Sequence, residues 1–287
     1  MDRRQFLTHS GVGVAALAIG GAAGAAEEGL RERHQERDRR ESQDSATDGH
    51  GVQRVWWSLE TEQRVASLTF DDGPHHELTP RVLAMLGAHE VRGTFFMIGQ
   101  NAAAHPKLVA DVVAGGHEVA NHTWSHGRVV EQDPATVHEE ILRGARALRS
   151  ITGRHTRWFR PPRGMVSGDV LSGASAAHNE LVLWSMTRGG PSVKGSEAIL
   201  SHMTTHLHPG AIVDLHDGTG VHPDDANLLQ RRHEELAVLP RFLAQSIAAG
   251  YRFVTVAELL QQVAPVGPST PAHADTRVVR SGSGPGG

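Results

Sequence analysis

Between Gly51 and Val263 one unit recurs about seven times: a short, β-favouring apolar run followed by a stretch whose apolar residues have helical spacing. Strands are expected at Val65–Phe70, Val91–Ile98, His117–Asn121, Thr156–Arg160, Leu181–Met186, Ala211–Leu215 and Tyr251–Val256. Helices are expected at Thr79–His89, Pro106–Ala114, Pro134–Ser150, Ser196–Leu207, Asp225–Ala249 and Ala257–Val263, while Gly168–Asn179 fits neither period. Crossover helices between successive strands imply an α/β fold with parallel strands. An open doubly wound sheet and a closed barrel both satisfy the pattern. In either one, chemistry belongs at the C-terminal ends of the strands.

The ends of the chain read differently from its middle. Arg3-Arg4-Gln5-Phe6-Leu7 precedes a Gly- and Ala-rich apolar stretch that runs to Ala26, so residues 1–26 resemble a twin-arginine export signal. That stretch is too short and too Gly-rich to span a bilayer comfortably, so no stable membrane insertion is expected after cleavage. Residues 27–50 are charged and almost free of apolar side chains, which reads as a disordered linker. Residues 51–263 form the expected catalytic domain, and the Pro-, Gly- and Ser-rich segment 264–287 reads as a disordered tail. Localisation is therefore expected to be outside the cytoplasm: periplasmic, wall-associated or secreted. A net charge of −4 gives no electrostatic case for nucleic acid. No Gly-x-Gly-x-x-Gly follows the first strand and no phosphate-binding loop with Lys-Ser or Lys-Thr is present, which argues against nucleotide use. Cysteine is absent, which removes disulfides and thiolate chemistry.

Four strand ends carry unusual residues. Val65–Phe70 runs into Asp71-Asp72-Gly73-Pro74, where two adjacent carboxylates need a turn to converge and a cation to relieve their repulsion. His122 and His126 follow the third strand with the i, i+4 spacing that on one helical turn holds a single ion. Beside the Asp-Asp turn they make a three-ligand site with a place left for water. Arg160-Pro161-Pro162-Arg163-Gly164 is stiffened by its prolines, and a guanidinium there can orient a carboxylate and keep it ionised. The strand Ala211–Leu215 ends in His216-Asp217-Gly218, where a histidine can act as general acid.

In this order and spacing, these stretches resemble the polysaccharide deacetylase family of carbohydrate esterases from about Arg64 to Leu260. The match is most specific in Thr69–His75, Thr94–Gly99, Gly116–His126 and Arg160–Gly164. The resemblance implies a distorted (β/α) barrel with about seven parallel strands, and it selects the barrel over the open sheet. It implies Asp72, His122 and His126 as ligands of Zn2+ or another divalent transition metal. Asp71 would be the general base, Arg160 its orienting partner, the Arg163 amide an oxyanion donor, and His216 the general acid. Trp184 matches an aromatic of the family's next strand and would line the substrate site. The implied reaction is removal of N-acetyl groups from amino sugars of an acetylated glycan: chitin-like, peptidoglycan or exopolysaccharide. An O-acetyl esterase, another amide or imide hydrolase, and a non-catalytic glycan-binding protein are the alternatives. Two departures bear on the acid half. The Asp-Trp pair that often follows Trp184 is absent, and the apolar residue two before the histidine, which in the family usually lines the acetyl pocket of the substrate site, is Asp214. Two residues apart on one strand, Asp214 and His216 face the same side. Asp214 is therefore expected to replace the missing aspartate as the charge partner of His216.

Overall fold

The computed structural model describes residues 53–261. The signal, the linker, the C-terminal tail and the last residues of the final expected helix lie outside the described residues. Nine strands are present among the described residues: β1 Val55–Trp56, β2 Val65–Asp71, β3 Thr94–Met97, β4 Glu118–Asn121, β5 Trp158–Phe159, β6 Glu180–Val182, β7 Met186–Thr187, β8 Ile212–His216 and β9 Arg252–Val254. Their spatial order is β1-β6-β5-β4-β3-β2-β8-β7, with β9 also paired to β2. Every strand pairing is parallel. An antiparallel bridge between Ser58 and Ala211, reinforced by Leu59 N–H donating to the Gly210 carbonyl at 2.8 Å, ties the segment after β1 to the start of β8. A distorted (β/α) barrel is therefore correct. The strand count exceeds the expected seven because β1 went unread, and because Leu181–Met186 breaks into β6 and β7 at Leu183–Ser185.

The helices are α1 Leu78–Ala88, α2 Gly99–Ala104, α3 Pro106–Ala114, α4 Pro134–Thr152, α5 Gly168–Ala176, α6 Ser196–His206, α7 Ala226–Ala248 and α8 Val256–Leu260. The ambiguous stretch is thus helix α5, started by Ser167, whose side chain accepts from the Val170 N–H. Asp133 caps α4 and Asp225 caps α7 in the same way. Among the described residues, no helix is long and apolar enough to cross a membrane.

Strand alternation sorts the core into layers. Phe95 packs outward with Phe70, Leu86, Val213 and Phe242 under α1 and α7. Its neighbour Phe96 packs inward with Val65, Ala120, Trp158 and Ile212. All seven residues of β2 are buried, as a strand covered on both faces requires. Register then brings the functional ends to one rim: Asp71 lies opposite both Phe96 and His216, and Asn121 opposite both Met97 and Phe159. Phe242 is fully buried and its ring lies 5.9 Å from that of Phe253. Phe242→Ala should cost about 3–5 kcal/mol, the usual penalty for emptying a core aromatic site. Urea unfolding monitored by circular dichroism would read the loss as a lowered midpoint.

Candidate active site

The Asp71-Asp72 turn converges because Asp72 takes a left-handed backbone, φ 73°. The strand phase is broken there, and both carboxylates face the same cavity of about 370 Å³. Gly218 makes this possible: a Cβ on it would lie 2.1 Å from the Asp72 carbonyl oxygen. His75 is buried and serves as a scaffold, its Nδ1 accepting from the N–H groups of Glu77 and Leu78 at the start of α1.

His122 and His126 do not sit on a helical turn, contrary to the sequence expectation. Thr123 and His126 have φ values of 67° and 58°, which no right-handed helix contains. The loop is instead held from several sides. Asn121 Oδ1 accepts from Thr123 N–H, and Thr123 Oγ1 accepts from His126 N–H. The carbonyls of Thr123 and Trp124 accept from the first amides of α2. Trp124 is also covered by the Arg143 guanidinium, 3.8 Å from its ring. Left-handed residues place the two imidazoles side by side, 5.0 Å between ring centroids.

The three predicted ligands come together: one ligand atom each from Asp72, His122 and His126 lie within 4.8 Å of one another. Asp72 Oδ1 is 3.0 Å from His126 Nε2 and 3.6 Å from His122 Nε2. It is buried and accepts no hydrogen bond among the described residues, an orphan that a cation would satisfy. His122 Nδ1 donates to the Arg160 carbonyl at 2.7 Å, which leaves Nε2 unprotonated and available as a ligand. One carboxylate and two imidazoles form a donor set that suits zinc and its neighbours. Burial disfavours the Asp72 anion, but contacts from the two imidazoles outweigh it and hold the carboxyl well below its ordinary range.

Arg160 is fully buried and reaches across the rim. Its Nη1 donates to Asp71 Oδ1 at 2.7 Å, to Thr69 Oγ1 at 2.9 Å and to Asp214 Oδ1 at 3.2 Å. Nε and Nη2 donate to the carbonyls of Val182 and Leu183, both at 2.9 Å. Arg163 has φ 60° and lines the cavity with Trp184, against which Gly164 is packed so closely that a Cβ would lie 2.8 Å from the indole.

Asp214 and His216 both line the cavity, as strand alternation predicts. The direct partner of His216, however, is Glu235 of α7. Glu235 Oε1 accepts from His216 Nδ1 at 3.2 Å and from its backbone N–H at 2.6 Å. Asp214 is bonded to Arg160 and acts on His216 only through space. Burial and the Arg232 charge push the imidazolium pKa down, but Glu235 and Asp214 outweigh them and hold it at about 9. A second missed residue is Arg232, whose Nη2 donates to Asp72 Oδ2 at 2.9 Å while Nη1 lies 3.5 Å from Glu235 Oε2. Within the run Arg231–Glu235 both look like a solvated helix face. The readable signal was spacing: Leu228, Arg232, Glu235 and Leu239 share one stripe of α7, and Leu228 lines the cavity.

The polysaccharide deacetylase family model matches residues 58–182. A peptidoglycan-N-acetylglucosamine deacetylase of Bacillus cereus is 34% identical over 209 residues, covering 72% of this chain and 93% of that protein. The chain belongs to the polysaccharide deacetylase family. A chitooligosaccharide deacetylase of Bradyrhizobium is 43% identical over 156 residues, 54% of this chain and 71% of the relative. Among solved structures, a peptidoglycan N-acetylglucosamine deacetylase in complex with 4-naphthalen-1-yl-N-oxidanyl-benzamide superposes with TM-score 0.65 at 26% identity, over 73% of this chain and 94% of that one.

The charge partner of His216 can be tested directly. Glu235→Gln keeps the size of the side chain and removes its charge, so the His216 pKa read by NMR titration should fall below about 9. Asp214→Asn should lower it by less. A large fall in Asp214→Asn with none in Glu235→Gln would return the role to Asp214.

Proposed function

We propose that the chain is an exported, zinc-dependent deacetylase that removes N-acetyl groups from amino sugars of a polysaccharide. The carrying observation is the orphaned Asp72 Oδ1 between two ligand-ready imidazoles, with Asp71 fixed beside it by Arg160. The names of its relatives, chitooligosaccharide and peptidoglycan-N-acetylglucosamine deacetylases, support an N-acetylglucosamine-containing glycan. Export rests on the paired arginines and apolar stretch of residues 1–26.

Asp72, His122 and His126 would hold the ion, which supplies Lewis acidity that polarises the acyl oxygen and acidifies the attacking water. Arg160 occupies Oδ1 of Asp71 and leaves Oδ2 as the general base, so proton abstraction starts from one fixed geometry. The Arg163 amide donates toward the oxyanion, since the left-handed backbone at that residue sets its direction. As the C–N bond breaks, His216 Nε2 gives a proton to the departing amine, Nδ1 being tied to Glu235. Glu235 thus restores the acid half that the missing Asp-Trp pair put in question. That removes the main reason to prefer an ester with its weaker need for an acid. Trp184 forms an apolar wall for the sugar ring.

Acetate release from N-acetylglucosamine oligomers, peptidoglycan and an O-acetylated glycan would test this reading. Release from the N-acetylated glycans should vanish with chelator and return with zinc. Asp71→Asn should retain zinc yet lose about 10²–10⁴-fold in rate, the usual worth of a general base. Asp72→Asn should lose zinc as well, read by elemental analysis. Full activity of metal-free protein, or normal zinc in Asp72→Asn, would sink the assignment.

A further inference from the structure

The wall behind Asp71 is where this site departs from an apolar acyl pocket. Asp214 is only 7% exposed at its side chain, yet it lines the cavity. Its Oδ1 accepts from Arg160, while no hydrogen bond reaches Oδ2 among the described residues. Asp71 and Asp214 are bonded to the same Arg160 nitrogen, at 2.7 and 3.2 Å, so their carboxyls are neighbours. Water delivered by Asp71 attacks the acyl carbon from beside that carboxyl pair. The nitrogen of the substrate points to His216 and the sugar to the open mouth. The remaining substituent on the acyl carbon must then lie against the buried wall that includes Asp214.

A methyl group in that place would strip Asp214 Oδ2 of water and give it nothing to bond. Leaving a buried acceptor unpaired is costly, and sites built to bond a substrate hydroxyl discriminate strongly against analogues that lack it. A hydroxyl one carbon beyond the carbonyl would fill the vacancy. The acceptor is present whether the carboxyl is ionised or protonated, so the match does not depend on its charge state. Resting on the deacylase reading above, we propose that Asp214 makes this site select an amino sugar carrying a hydroxyacetyl amide over one carrying a plain acetyl amide.

The step needs no co-reactant beyond water. Water adds to the acyl carbon and leaves its proton on Asp71. The C–N bond then breaks, the nitrogen takes a proton from His216, and hydroxyacetate and the free amine leave.

The test uses the zinc-loaded full chain and matched glucosamine oligomers bearing hydroxyacetyl or acetyl groups. Wild-type kcat/KM should favour the hydroxyacetyl substrate by tenfold or more. Asp214→Leu should abolish or reverse the ratio, whereas Asp214→Asn, which keeps an acceptor oxygen, should retain it. Calorimetry on the slowed Asp71→Asn protein should show the same preference in binding. A wild-type ratio that favours acetyl, or one left unchanged by Asp214→Leu, overturns the selectivity while leaving the deacylase reading intact. Hydrolysis of neither amide by the zinc-loaded wild type would sink both.

Discussion

The Arg160 guanidinium is the contact on which the rest of the site depends. It is buried, so its N–H groups need acceptors, and each of its three nitrogens donates: to two backbone carbonyls, one hydroxyl and two carboxylates in all. Those acceptors come from β2, from β8 and from the end of β6, so one side chain ties together strands that are far apart in sequence. It also lies over the rings of Phe96, 4.1 Å away, and Trp184, 5.4 Å away, which adds cation–π attraction. A single cation does not balance the acids around it. Asp71, Asp72, Asp214 and Glu235 crowd one buried rim, with Arg232 and His216 as the other local positive groups. Burial and the neighbouring Asp71 carboxylate push Asp214 up to about 7, and burial does the same to Asp217. Excess negative charge of this kind is what a divalent cation relieves.

Much of this was legible because it is local. The strand running into Asp71-Asp72-Gly73-Pro74, the paired prolines after Arg160 and the apolar strand before His216 each announce their own geometry. The barrel followed from strand–helix alternation only as one of two options, because closure is set by a few contacts that leave no periodic trace. The Ser58–Ala211 bridge is one such contact. The division of Leu181–Met186 into two strands has a similar cause. Its apolar residues suit a strand throughout, but the carbonyls of Val182 and Leu183 are taken by Arg160 and Ser185 N–H turns to Ile212. A tertiary demand overrode a local propensity.

The His122–His126 spacing shows the opposite limit. The pattern i, i+4 suggested the right ligand cluster and the wrong backbone. A helix would have stacked the imidazoles one turn apart, whereas left-handed residues at Thr123 and His126 fold them toward Asp72 from a loop. The residue types and their nearness in sequence were sufficient to point to the cluster. The conformation depended on Asn121, α2 and α4, and Gly144 of α4 lies so close that a Cβ would meet Asn121 Oδ1 at 2.4 Å.

Glu235 explains why a missing motif need not be a missing function. A general-acid histidine near a bound cation needs a negative charge against its far nitrogen, and the field at that nitrogen is indifferent to which element supplies the charge. On α7 the carboxylate meets His216 at Nδ1, and it is braced by Arg188 and Arg232, 3.6 and 3.5 Å away. Arg232 in turn holds Asp72 Oδ2, so one helix fixes both the Asp72 carboxylate and the counter-charge of His216. With the direct counter-charge placed on α7, Asp214 contributes to His216 only through space. It keeps a bond to Arg160, but Asp71 already balances the guanidinium and Glu235 makes the hydrogen bonds to His216, so no direct contact with the acid occupies the carboxyl at position 214. What remains for its other oxygen is the substrate.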